Sequence, residues 1–151
     1  MGDLMKGKRG LVMGVANDHS IAWGIAKALA AEGAEMAFSY QGEAFGRRVQ
    51  PLAEGIGSTL MVDVDVTNEA SMDACFAKIG EEWGELDFVV HAIAYSDKEE
   101  LKGRYVDTTR ANFCRTLDIS CYSFTSVANA AEKIMPNGGS LITLSYSGAE
   151  R

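Results

Sequence analysis

The sequence predicts an α/β fold, a doubly wound parallel sheet with helices on both faces, and three observations predict it. Short apolar segments alternate with helical ones from Arg9 to Tyr146. The strand segments are continuous apolar runs, Phe88-Val89-Val90 being the clearest, as strands buried on both faces require. Turn residues punctuate the alternation at Gly14, Gly33, Gly84 and Pro136-Asn137-Gly138-Gly139.

Each element follows from its own residues. Arg9 to Met13 is a short apolar run ending in Gly14. After a polar loop, Ile21, Ile25, Ala28 and Leu29 recur at helical spacing until Gly33 stops them. Glu35 to Tyr40 reads as a second strand. Glu43 to Ile56 reads as a charged helix in which Pro51 removes one backbone bond. Leu60 to Val66 is a third strand. From Thr67 or Asn68 as N-cap, Met72, Cys75, Phe76, Ile79 and Trp83 form an apolar stripe closed by Gly84. Asp87 to Ala94 is strand four, Thr109 to Met135 one long helical stretch, and Ser140 to Tyr146 strand five.

Composition bounds the function. The chain has 151 residues, 14 Lys plus Arg against 21 Asp plus Glu, and a net charge of −7, which suits one domain and argues against a nucleic-acid partner. With 47% hydrophobic and 23% charged residues it is an ordinary globular composition. No apolar stretch approaches the roughly 18 residues that span a bilayer, and Met1 to Gly7 has no signal-peptide pattern, so the expectation is a cytoplasmic protein with no membrane partner. Cys75, Cys114 and Cys121 are odd in number and lack C-x-x-C spacing, which suggests neither disulfides nor a zinc site, and Cys75 reads as core packing. His19 and His91 have no ligand-spaced partners, so no metal is expected.

Doubly wound sheets bind ligands at the carboxyl ends of their strands, near the point where strand order reverses. The first such place is the loop from Gly14 to Gly24. A glycine there lets a phosphate approach the main chain, and the following helix offers free N–H groups and a positive dipole end. Ser20 can cap that helix or donate to the phosphate. The ten-residue gap between Gly14 and Gly24 departs from G-x-G-x-x-G, and a plain strand-to-helix turn is the competing reading.

Gly14-Val15-Ala16 followed by Ser20-Ile21-Ala22-Trp23-Gly24 resembles the widened loop of bacterial enoyl-[acyl carrier protein] reductases, a branch of the short-chain dehydrogenase/reductase superfamily with a Rossmann-type fold. The resemblance continues through Ser39-Tyr40-Gln41, Asp65-Val66, His91-Ala92-Ile93-Ala94-Tyr95, Asp118-Ile119-Ser120 and Leu144-Ser145-Tyr146 to Gly148-Ala149-Glu150-Arg151. It implies NADH as cofactor, with Gly14, Ser20 and Ile21 at the pyrophosphate. Gln41 would lie at the adenosine ribose, where its amide can bond hydroxyls but cannot neutralise a 2′-phosphate. Asp65 and Val66 would flank the adenine, although Asp65 could instead merely end its strand. Ile93 and Ala94 would lie beside the nicotinamide ribose, and Tyr95 and Ser96 near the acyl substrate. His91 reads as a satisfied, partly buried histidine. Tyr146 is the implied catalytic residue, its phenol a donor at neutral pH.

The resemblance also implies a second Tyr and a Lys beyond Arg151, so residues 1–151 are expected to be the amino-terminal part of a single dinucleotide-binding catalytic domain, inactive alone. The implied reaction is reduction of trans-2-enoyl thioesters on acyl carrier protein in fatty-acid elongation, by a homotetramer. The alternatives are a ketone/alcohol short-chain dehydrogenase, against which the His91 to Ala94 segment argues, and a non-catalytic nucleotide-binding module.

Overall fold

The computed structural model describes residues 2–150. Along the chain run β1 (Arg9–Met13), α1 (Ile21–Ala31), β2 (Glu35–Tyr40), α2 (Glu43–Gly55), β3 (Leu60–Asp63), α3 (Glu69–Trp83), β4 (Phe88–His91), α4 (Arg110–Leu117), α5 (Ser123–Glu132) and β5 (Ser140–Thr143). The strands form one sheet in the order β3-β2-β1-β4-β5, every pair parallel. The chain winds outward from β1 to β3, then crosses back to place β4 on the other side of β1. That reversal opens a crevice between the carboxyl ends of the central strands.

Alternation along β1 sorts the core into two layers. Leu11 and Met13 join Val89 on the face covered by α3 and α5, with Met72, Cys75, Phe76, Ile79 and Val127. Val12 joins Phe38 and Val90 on the other face, under α1 and α2. The α3 stripe packs as its spacing predicts, and Asn68 caps the helix by accepting from the Ser71 N–H at 3.0 Å. Gly84 ends it at a φ of 76°. Burial pushes the Cys75 thiol up to about 12, so it is an inert packing group.

The structure corrects the expected elements in three ways. The buried face of α1 is Ala22, Trp23 and Ala26, while Ile21 is 70% exposed. Trp23 is buried beside the two alanines, and Ile25 and Leu29 of the expected stripe pack against that face partly buried. The long helical stretch is broken: a π-helical turn over Asp118–Tyr122 separates α4 from α5. Strands three, four and five also end early, at Asp63, His91 and Thr143. Beyond these ends Val64 and Ala92 each still donate one N–H to the neighbouring strand, after which Val66 and Ile93 line the crevice and Leu144 is exposed.

Among the described residues no helix is long and apolar enough to cross a membrane. No group of His, Cys, Asp and Glu among them gathers as metal ligands.

Candidate functional site

The crevice holds a cavity of about 240 Å³ lined by Gly14, Gln41, Asp65, Val66, Ile93, Ala94 and Tyr95. Residues far apart in sequence meet there because all follow carboxyl ends of neighbouring strands. Gly14 has a φ of 100°, and a Cβ on it would stand 2.0 Å from the Ala92 carbonyl oxygen. The glycine is therefore required by the approach of β1 to the chain leaving β4, before any ligand is considered.

Ser20 and Ile21 lie outside the cavity lining. The Ser20 hydroxyl makes no cap bond to α1. It turns back to accept from the N–H groups of Ala16 at 3.0 Å and Asn17 at 3.1 Å, and so shapes the loop. The Ser20 carbonyl accepts from the Trp23 and Gly24 N–H groups. The N–H groups of Ile21 and Ala22 have no backbone partner among the described residues. A helix N-terminus with such unpaired donors suits an anion such as a pyrophosphate.

At the other end of the cavity, Asp65 Oδ1 accepts from the Thr67 N–H at 2.9 Å and the Thr67 hydroxyl at 2.7 Å. These bonds hold the carboxyl below its ordinary range, the hydroxyl of Thr67 contributing most. Both use the same oxygen, so an adenine amine would have to meet Oδ2. The Ser71 hydroxyl oxygen accepts from the Asp65 N–H at 2.9 Å, fixing the turn.

The segment after β4 is fastened to the α4 stretch at two levels. Ser120 Oγ accepts from the Tyr95 N–H at 3.0 Å and donates to the Tyr95 carbonyl at 3.2 Å. Asn112, buried, accepts from the Asp97 N–H at 2.9 Å and donates to Ser96 Oγ at 3.2 Å. The Arg115 guanidinium lies 4.8 Å from the centre of the Tyr95 ring and also lines the cavity. His91 lies beneath, bonded to Ser123 Oγ at 2.7 Å and Thr143 Oγ1 at 2.9 Å, and burial holds its pKa below the ordinary value.

Tyr146 and Ser96 belong to a second cavity of about 590 Å³, lined also by Leu101, Tyr105, Asn112, Phe113 and Leu117. Tyr146 is 76% exposed there. The two cavities share the wall formed by Tyr95, Ser96 and α4, one polar at its ends and the other mostly apolar. Sequence reasoning missed Asn112, Ser120 and Arg115 as site residues. The available signal was a polar residue at each position of a stretch read only as helical, with Ser120 inside the Asp118-Ile119-Ser120 resemblance.

A family model described as enoyl-(acyl carrier protein) reductase matches residues 14–151. The chain is 60% identical over its whole length to the Rhizobium meliloti enoyl-[acyl-carrier-protein] reductase [NADH] 2, covering 56% of that protein. It therefore spans little more than half the length of the curated relatives it matches. A crystal structure of the Anaplasma phagocytophilum reductase in complex with NAD superposes with a TM-score of 0.96 at 59% identity, covering 100% of this chain and 58% of that one. The Bacillus cereus enoyl-acyl carrier protein reductase, solved with NADP+ and an indole naphthyridinone, superposes at 0.95 with 44% identity, covering 100% and 59%. Those two proteins hold different nucleotides on one fold.

Proposed function

The chain belongs to the enoyl-(acyl carrier protein) reductase family, and on that premise we propose that the full-length protein reduces trans-2-enoyl thioesters on acyl carrier protein to saturated acyl thioesters, with NADH, in fatty-acid elongation. The observation that carries the reading is one continuous crevice. It runs from Asp65 and Val66, past Gly14, to Ile93, Ala94 and Tyr95, and the apolar groove that contains Tyr146 lies on the other side of the Tyr95-Ser96 segment.

The residues present fit a dinucleotide. The Ile21 and Ala22 N–H groups hold the pyrophosphate, so Ile21 acts through its main chain while its side chain faces solvent, and Ser20 keeps the loop in shape. Gln41 bonds ribose hydroxyls, Val66 packs on the adenine and Asp65 accepts from its amine. Ile93 and Ala94 wall the nicotinamide ribose. The cofactor, when bound, would supply a hydride for the β-carbon of the enoyl group. Tyr95 and Ser96 position the acyl thioester between the two cavities, and the Tyr146 phenol donates to the thioester oxygen as negative charge builds on it. A proton at the α-carbon completes the reduction. Such a donor acts by stabilising charge that exists only as the reaction proceeds.

Residues 1–151 form the amino-terminal part of one catalytic domain in this reading, with further groups for the ribose and thioester supplied by the rest of the protein. It assembles as a cytoplasmic homotetramer. Tyr122, 61% exposed at the end of the π-helical turn, supports the stretch from Arg110 to Met135 as an interface element. The test is NADH oxidation by the purified full-length protein with crotonyl thioester. Turnover that requires the double bond is expected, and turnover of ketones in place of enoyl thioesters would replace this reading by that of a ketone/alcohol dehydrogenase.

A further inference from the structure

We propose that Asp63 and Glu43 exclude the 2′-phosphate of NADPH from the adenosine end of the crevice and so set the preference for NADH. The inference rests on the dinucleotide reading above and adds residues that lie outside the cavity lining.

Helix α2 begins directly after Gln41, with Gly42 at its N-cap. A phosphate on the ribose hydroxyl beside Gln41 would seek the free N–H groups and positive dipole end of that helix. The first of those donors is already taken: the Gly42 N–H donates to Asp63 Oδ1 at 2.9 Å. Asp63 arrives from the neighbouring strand, where β3 pairs it with Tyr40. A carboxylate is thus fixed on the main chain adjoining Gln41, and a dianionic phosphate reaching for the same N–H meets like charge.

Of the cations that could offset this, Arg47 is ion-paired, while Arg48 and the cavity-lining Arg115 have no carboxylate partner among the described residues. Arg47 and Arg48 are the nearest arginines in sequence. The Arg47 guanidinium is ion-paired with Glu43 one helical turn earlier. The Arg48 guanidinium lies 6.0 Å from the centre of the Phe45 ring, and Phe45 lines the cavity. Glu43 therefore contributes twice, as a negative charge in the first turn of α2 and as the group that neutralises Arg47.

The test titrates the full-length protein with 5′-AMP and with 2′,5′-ADP by calorimetry, comparing the parent with Asp63→Asn and Glu43→Gln. Asparagine retains an acceptor oxygen for the Gly42 N–H, so the turn is kept while the charge is removed. In each variant the affinity for 2′,5′-ADP relative to 5′-AMP is expected to rise by about fivefold at low salt, as a unit charge a few ångström away predicts, and the gain shrinks as salt is added. The ratio of kcat/KM for NADPH over NADH moves the same way. An unaltered ratio with 5′-AMP still bound, or equal weakening of both ligands, overturns the inference alone. A parent protein that binds neither nucleotide overturns the dinucleotide reading as well.

Discussion

His91 Nε2 lies 2.7 Å from Ser123 Oγ, and that hydroxyl donates its single proton to the Ile119 carbonyl at 2.7 Å. The imidazole is therefore the donor in this pair. Its other nitrogen, Nδ1, accepts from the Thr143 hydroxyl at 2.9 Å. The network assigns one neutral tautomer to a fully buried ring that joins β4, β5 and the π-helical turn. A second proton on Nδ1 would confront the Thr143 hydroxyl with a donor and place an uncompensated charge in the core.

Stability is expected to follow that proton. Burial lowers the folded pKa of His91 below its ordinary 6.5, so the unfolded chain binds the proton more readily than the folded one. The contribution is complete above pH 6.5 and is lost as pH falls through the folded value. Thermal melts between pH 6.5 and about pH 5 should show a falling midpoint in the parent and a flatter profile in His91→Gln. Parallel profiles would show that the loss arises elsewhere.

Gly14→Ala is expected to lower stability by about 1–3 kcal/mol from the positive φ alone, with a further loss from displacement of the Ala92 carbonyl. Because Ala92 leads directly to Ile93 and Ala94, NADH affinity falls as well. Urea unfolding and calorimetric titration measure the two losses separately. A fully stable variant with weaker NADH binding would mean that the backbone here relaxes without cost.

Asn112→Ala leaves the Asp97 N–H without its bond and frees Ser96, a change worth about 1–3 kcal/mol for a buried polar pairing. Its kinetic effect should fall on the KM for the enoyl thioester more than on the KM for NADH, since Ser96 lines the second cavity and not the first. Equal increases in both would show that Asn112 supports the whole crevice.

Tyr146→Phe in the full-length protein is expected to reduce kcat by about a hundredfold, the usual consequence of deleting one donor to a developing oxyanion. Affinity for NADH changes less, because Tyr146 does not line the first cavity. An unchanged kcat would reduce Tyr146 to a wall of the apolar groove.

Much of this architecture is legible from patterns of period and punctuation. β1 and β2 begin and end where their apolar runs do, and α3 buries the side chains its spacing selects. The misplaced strand ends have a common cause. Val66, Ile93 and Leu144 are apolar residues beyond the ladder, so hydrophobic continuity extends the strand reading into segments that line the crevice or leave the sheet. Gln41, Asp65, Ile93 and Ala94 are legible through the resemblance, at strand ends where doubly wound sheets place their ligands. The roles of Asn112, Ser120 and Asp63 are not, because each acts by bonding backbone that lies distant in sequence.

The π-helical turn over Asp118–Tyr122 works as a change of phase. Each residue advances an α-helix by about 100°, so one residue more or less in this turn would swing everything downstream by that angle. Before the turn, Arg115 points to the cavity, and after it Val127, Ala130 and Ala131 point to the core. Point substitutions here change one contact at a time. A single-residue deletion would instead rotate α5 out of the sheet's reach, so this stretch is expected to tolerate changes of letter far better than changes of length.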